Sequence, residues 1–291
     1  MRSPNEPTPE EMDQRRAEYE QQSQRITERA EDIGHIVMVL SGKGGVGKST
    51  VAANLAFALA EQGHRVGLLD ADLHGPTIPL LTGLAGELTT GTAAAIRPME
   101  LPGGLAVMSI AFLMGEPDQP TIWRGPLRGG VLRQFVADVT WGERDYLIAD
   151  LPPGTGDEPL TLMQSLPDAD GAVIVTTPQE ASLSDCRRAI NFVRKVGQRV
   201  LGVVENMSGF VCPHCGERTD IFATGGGEHM AAQMNVPFLG RVPLSAEIVA
   251  LSDAGRPLVG DEAPPAVREA YEAIIDRLLA QLAAGEVEAH G

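Results

Sequence analysis

Three groups of residues in this chain have side-chain types and spacing that can do chemistry. The first is Ser41-Gly42-Lys43-Gly44-Gly45-Val46-Gly47-Lys48-Ser49-Thr50, which fits G-x-x-x-x-G-K-[ST]. Its glycines let backbone N–H groups turn inward around a phosphate, and a following helix adds its partial positive N-terminus. Lys48 is placed to reach β- and γ-phosphates, and the Ser49 hydroxyl to ligate Mg2+. Lys43 is a second lysine, near the loop's entry. From there it points away from its own phosphates and toward those of a partner chain, so it predicts a homodimer.

The second group is acidic. Val66-Gly67-Leu68-Leu69-Asp70-Ala71-Asp72 ends an apolar run with two carboxylates, and Tyr146-Leu147-Ile148-Ala149-Asp150 ends another with one. Phosphoryl transfer needs a metal, a positioned water and a sensor of the γ-phosphate. Asp72 is the candidate to orient water, Asp70 to support the metal shell, and Asp150 to stand near Mg2+ as a Walker-B acid. The loop Leu151-Pro152-Pro153-Gly154-Thr155-Gly156-Asp157 is shaped to sense phosphate and move on hydrolysis. Asn206, after Val203-Val204-Glu205, offers an amide suited to a purine edge or to a satisfied turn.

The third group is Cys212-Pro213-His214-Cys215-Gly216, a tight Cys-x-x-Cys knuckle. Thiolates select zinc, copper(I) or iron–sulfur clusters, and closed sites usually take four ligands. Two ligands per chain leave three readings open. A two-fold dimer pools two pairs, His214 or His229 completes a zinc site within one chain, or the pair is a redox dithiol. The third cysteine, Cys186, falls in a predicted helix and reads as a buried apolar residue.

Elements of the right kind flank these groups. Apolar runs predict strands at 36–41, 65–70, 105–110, 145–150, 172–176, 199–205 and 238–242. Helices are expected at 48–62, 129–139, 158–165, 180–196, 226–234, 245–253 and 264–283. The alternation implies an α/β fold, a mostly parallel sheet with helices on both faces, with ligands at the strands' carboxyl ends. The domain is expected to span 35–283. Residues 1–34 read as a flexible N-terminal segment with a short amphipathic helix. Thr8-Pro9-Glu10-Glu11 forms its capping box, and Met12, Tyr19 and Ile26 its narrow apolar stripe. The tail 284–291 is expected to be disordered.

The formal net charge of −16 argues against a sequence-independent nucleic-acid binder and against adhesion to anionic membranes. No apolar run is long enough to span a bilayer, and the N-terminus lacks the apolar core of a signal peptide. Three cysteines are no disulfide framework, which suggests a cytoplasmic protein.

Together these residues resemble the Mrp/ApbC-type iron–sulfur cluster carrier ATPases, a branch of the deviant-Walker-A P-loop ATPases that includes MinD, ParA and the nitrogenase iron protein. The resemblance runs from about Ile36 to Pro257. It rests on the phosphate loop, Asp70-Ala71-Asp72-Leu73-His74-Gly75-Pro76, Trp123-Arg124-Gly125-Pro126, Trp141-Gly142-Glu143-Arg144-Asp145-Tyr146, Asp150 to Asp157, Thr176-Thr177-Pro178-Gln179-Glu180, Val204-Glu205-Asn206-Met207-Ser208 and the knuckle. It implies that the loop from Gly42 to Thr50 binds ATP and that Ser49 binds Mg2+. It also implies that Lys43 reaches across a dimer and that Asp72 and Asp150 stand in the two switches. Cys212 and Cys215 of two subunits would then share one 4Fe-4S cluster for delivery to apoprotein clients. Competing readings are a MinD/ParA-like positioning ATPase, a zinc-stabilised nucleotide switch, and a reductase like the nitrogenase iron protein. The final helix has no basic excess of the kind MinD uses on membranes, and the iron protein arranges its cysteines differently.

Overall fold

The computed structural model describes residues 9–87, 91–92, 95–113, 125–166, 168–212, 215 and 217–290. Trp123, Arg124, His214 and the segment before Pro9 lie outside the described residues, as does Gly291. The elements run α1 (Pro9–Ala30), β1 (Ile33–Ser41), α2 (Lys48–Glu61), β2 (Val66–Asp70), α3 (Ile78–Leu81), β3 (Gly91–Thr92), β4 (Ala95–Ile96), β5 (Met99–Leu101) and β6 (Leu105–Ser109). They continue α4 (Gly125–Asp138), β7 (Arg144–Asp150), α5 (Asp157–Ser165), β8 (Gly171–Thr176), α6 (Glu180–Lys195), β9 (Val200–Glu205), β10 (Phe210–Val211) and β11 (Arg218–Thr219). The chain closes with α7 (Gly226–Gln233), β12 (Phe238–Arg241), α8 (Ala246–Asp253) and α9 (Pro265–His290).

Eight strands form one sheet in the order β12-β9-β8-β1-β7-β2-β6-β5. Every pairing is parallel except β5 with β6. All seven predicted strands are present. The eighth, β5, has only three residues and no buried face, too little for a periodicity argument; the turn at Gly103 and Gly104, both at positive φ, folds it back as an edge. Central strands are apolar without alternation because helices cover both faces. From Ile36 to Ser41 β1 is buried throughout, as are β2, β8 and β9 from end to end.

The register decides what meets at the sheet's carboxyl edge. Val39 of β1 lies opposite Asp150 of β7, and Asp150 lies opposite Asp70 of β2. Two acids far apart in sequence therefore stand side by side next to the loop leaving β1. Behind that loop α2 presents Ala52, Ala53 and Ala56, all fully buried, to the sheet. Their small side chains let the helix axis approach closely and hold its N-terminus over the strand ends.

Helix α1 docks on α4. Ile26 is buried, and the Arg133 guanidinium stacks over the Tyr19 ring at 3.7 Å from its centroid. Arg133 also donates to the hydroxyls of Ser165 (3.3 Å) and Ser23, and Arg25 pairs with Asp138 at 3.2 Å. Of the predicted stripe, Met12 points to solvent. At the other end α9 continues to His290, past the point where a disordered tail was expected. Tyr271, Ile274, Ile275, Leu278 and Leu282 line its buried side, and that packing carries the helix onward.

Candidate functional site

The phosphate loop bridges β1 and α2 with the geometry its glycines allow. Gly47 precedes the helix at φ 82, in the left-handed region, and a Cβ there would lie 2.1 Å from Nδ2 of Asn206. Gly42 packs so closely on α6 that a Cβ would meet the Asp185 backbone at 2.3 Å. The Ser41 hydroxyl donates to the Lys43 carbonyl at 2.8 Å, and the Ser41 carbonyl accepts from Gly154 N at 2.8 Å. That second bond ties the phosphate loop to the loop after Asp150. Lys43 itself is half-buried.

Lys48 is nearly buried and surrounded by acid. Its Nζ donates to Asp150 Oδ1 at 2.6 Å, lies 3.7 Å from Asp72 Oδ2, and reaches the Ser49 hydroxyl at 3.3 Å. Asp150 is fully buried. Desolvation pushes its carboxyl above the ordinary range, against the pull of Lys48 and a hydrogen bond from Ser49. Its second oxygen, Oδ2, is buried with no hydrogen-bond partner among the described residues.

Asp72 and Asp70 have different surroundings. Asp72 lines the cavity and its Oδ1 accepts from the backbone of His74 (3.2 Å) and Gly75 (3.3 Å), which fixes the loop after β2. Asp70 is fully buried and does not face the cavity. Its oxygens accept from Asp72 N (3.2 Å), Ile78 N (3.3 Å) and the Ser109 hydroxyl (2.9 Å). Burial, then repulsion from Asp150, raises its pKa. Asp70 thus braces the loop that carries Asp72. Ser109 gave no signal in the sequence, since its partner lies across a strand pairing.

Asn206 also sits at the loop, but its amide is engaged: Nδ2 donates to the Val46 carbonyl at 2.9 Å. This brace on the phosphate loop was not part of the purine-edge expectation. The cavity, of about 640 Å³, is lined by Gly44, Gly45, Gly47 to Thr50, Asp72, Pro153 and Asn206 on one side. Leu81, Ile248, Leu258 and Tyr271 form its apolar side. An anionic head fits the first wall and a flat apolar body the second. The apolar side was missed because it is assembled from α3, α8, α9 and the loop before α9, which lie far apart in sequence. Asn54 joins two of these parts by accepting from Leu258 N at 2.6 Å.

The cysteines separate as their surroundings dictate. Cys186 is buried in α6 and desolvation pushes its thiol up to about 12, an inert core group. Cys212 is half-buried and Cys215 exposed, both unoxidised, at the tip of the β10–β11 hairpin. Val211 pairs with Arg218, and Cys212 N donates to the Glu217 carbonyl at 3.0 Å, which closes the knuckle. Among the described residues no three His, Cys, Asp or Glu side chains gather to hold a metal ion. His229 does not complete a one-chain site; its ring Nε2 lies 3.0 Å from the Gln233 amide.

Comparison with known proteins agrees with this layout. Residues 32–279 match the family model for ParA, described as NUBPL iron-transfer P-loop NTPase. A protein named iron-sulfur cluster carrier protein from Methanocaldococcus jannaschii is 50% identical over 239 residues, 82% of each chain. The cytosolic Fe-S cluster assembly factor NUBP2 of Bos taurus is 46% identical over 87% of this chain and 95% of its own. Among solved structures, a nucleotide-binding protein from Archaeoglobus fulgidus in complex with ADP superposes with a TM-score of 0.71 at 44% identity, over 80% of this chain and 91% of that one. The cell division ATPase MinD of Pyrococcus furiosus shares the fold at 22% identity and a TM-score of 0.63, over 85% and 99% of the two chains.

Proposed function

The chain belongs to the family of NUBPL iron-transfer P-loop NTPases, and from that premise we propose that it is an ATP-hydrolysing carrier that binds iron–sulfur clusters and passes them to apoproteins. One observation carries the reading: a pair of thiols, half-buried Cys212 and exposed Cys215, stands on a hairpin that leaves the same strand end whose Asn206 braces the phosphate loop. Nucleotide chemistry and soft-ligand chemistry are thus built on one short segment. The relatives' names support the cargo, and the word cytosolic in one of them fits a cytoplasmic location.

The phosphate end would work as follows. Backbone N–H groups from Gly44 to Ser49 and the N-terminus of α2 hold the phosphates, and Lys48 exchanges Asp150 for a γ-phosphate oxygen. The residues present fit Mg2+: Ser49 supplies a hydroxyl, and the buried, unpartnered Oδ2 of Asp150 supplies a hard anionic oxygen. Mg2+ would neutralise charge developing on the phosphates. Asp72 would hold the attacking water, and Pro153 and Gly154, the latter bonded through its N–H to the Ser41 carbonyl, would register the γ-phosphate. Lys43 would reach a second copy of the chain.

At the thiol end, two ligands per chain suit a 4Fe-4S cargo shared by a homodimer, each subunit giving Cys212 and Cys215. Anaerobic reconstitution with iron and sulfide, followed by metal counting and sizing, tests this. About four irons per dimer are expected from a cubane cluster, lost in the Cys212→Ala/Cys215→Ala variant. Zinc or no metal on the wild-type hairpin would remove the carrier reading and leave a nucleotide switch.

A further inference from the structure

Glu205 ends β9 and is fully buried. A buried carboxylate must find donors or lose heavily, and here they come from both sides of the cysteine hairpin, the turn that enters it and the start of α7 that follows it. On the entering turn, the Ser208 hydroxyl donates to Oε1 at 2.5 Å. After the hairpin, at the start of α7, Gly225 N donates to Oε1 at 2.9 Å and Gly227 N to Oε2. The two sides also meet each other, with the Ser208 and Thr224 hydroxyls 3.0 Å apart. Arg241 of β12 adds its charge, Nε at 3.6 Å from Oε1.

The next residue, Asn206, holds the phosphate loop through Val46 O, and Met207 lines the nucleotide cavity. Met207 adopts φ 56, in the left-handed region, where an unbranched non-glycine residue is strained. Ser208 N then donates to Val242 O, and Leu244 N to Gly209 O; Val242 and Leu244 also line the cavity. Four residues therefore lead from the phosphate loop to Phe210, where the hairpin begins. A group that displaces Asn206 or Met207 must shift the support of the cysteines.

We propose that Glu205 is a positioning residue that clamps both sides of the cysteine hairpin to the strand end bracing the phosphate loop, so that nucleotide occupancy sets the exposure of Cys212 and Cys215. The inference rests on the reading of the cavity as a nucleotide site and of the hairpin as the cargo site. Its test does not need the cargo. The full chain is alkylated with iodoacetamide, with and without Mg-ADP, and labelling at each cysteine is followed by mass spectrometry; buried Cys186 serves as the unlabelled reference.

In the wild type, ADP is expected to change the labelling rate of Cys212 or Cys215 by about fivefold or more, the low end of coupling between sites. In Ser208→Ala the change is expected to shrink to about twofold or less, with ADP affinity by calorimetry unaltered, since Ser208 does not line the cavity. Glu205→Gln should behave likewise; if it fails to fold, Thr224→Val takes its place. A wild type whose thiols ignore ADP, or a Ser208→Ala protein that keeps the full response, overturns the proposal. Iron-free protein after reconstitution would end the carrier reading while leaving the labelling result to stand or fall by itself.

Discussion

A single cation stands among the three acids at the centre of the site. Lys48 faces Asp150 directly and Asp72 at longer range, with Asp70 below. Lys48→Met would abolish nucleotide binding and leave Asp150 as an uncompensated buried charge, a loss of about 3–5 kcal/mol. Asp150 escapes that cost by taking up a proton. The deficit should thus be large at alkaline pH and shrink as pH falls, a trend visible in urea midpoints across pH. Gly47→Ala has a different cause: a left-handed non-glycine costs about 1–3 kcal/mol, and the added carbon meets Nδ2 of Asn206. Calorimetry should show ADP binding lost. Far from the site, His35 donates from Nδ1 to Asp170 Oδ1 at 3.0 Å, with Glu286 at 3.6 Å from Nε2. The hydrogen bond to Asp170 outweighs burial and raises the imidazole's pKa. Folding therefore favours the protonated ring. Its contribution is complete below the unfolded value near 6.5 and disappears as pH rises through the higher folded value. Replacing His35 by Asn should flatten the fall in denaturation midpoint on going from mildly acidic to alkaline buffer.

At the scale of elements, the apolar runs and capping residues made the parallel sheet and its helices legible, because strands buried on both faces leave an unmistakable pattern. Motif residues were legible for the same reason: Asp150 and Asp70 end such runs, and register brings them together. What stayed hidden depends on contacts distant in sequence. Asn206 meets Val46 across 160 positions and Asn54 meets Leu258 across 204, and no local spacing announces either. The N-terminal helix was half legible. Its stripe marked Tyr19 and Ile26, but no spacing announced the Arg133 guanidinium that stacks on Tyr19 and bonds to Ser165. Arg133→Ala should free α1, seen as faster proteolysis between α1 and β1, with ADP affinity unchanged because α4 does not line the cavity.

At the scale of the molecule, the proposed homodimer joins two half-sites: a lysine offered outward and a pair of thiols that cannot close a cluster alone. Lys43→Ala is expected to hold the chain at the mass of one copy in light scattering with a non-hydrolysable ATP analogue, while the wild type doubles. A wild type that stays single under those conditions would argue against the shared site.

The cavity also has an order of construction. Its phosphate side, from Gly44 to Thr50, is made in the first fifth of the chain, whereas Leu258 and Tyr271, which line its apolar side, come near the end. Because domains emerge from the ribosome N-terminus first, a nascent chain displays its phosphate loop long before the opposite wall exists. Nucleotide cannot be enclosed until α9 packs against the sheet. The last helix thereby completes the cleft, and a chain that ended before Tyr271 would keep it open on that side.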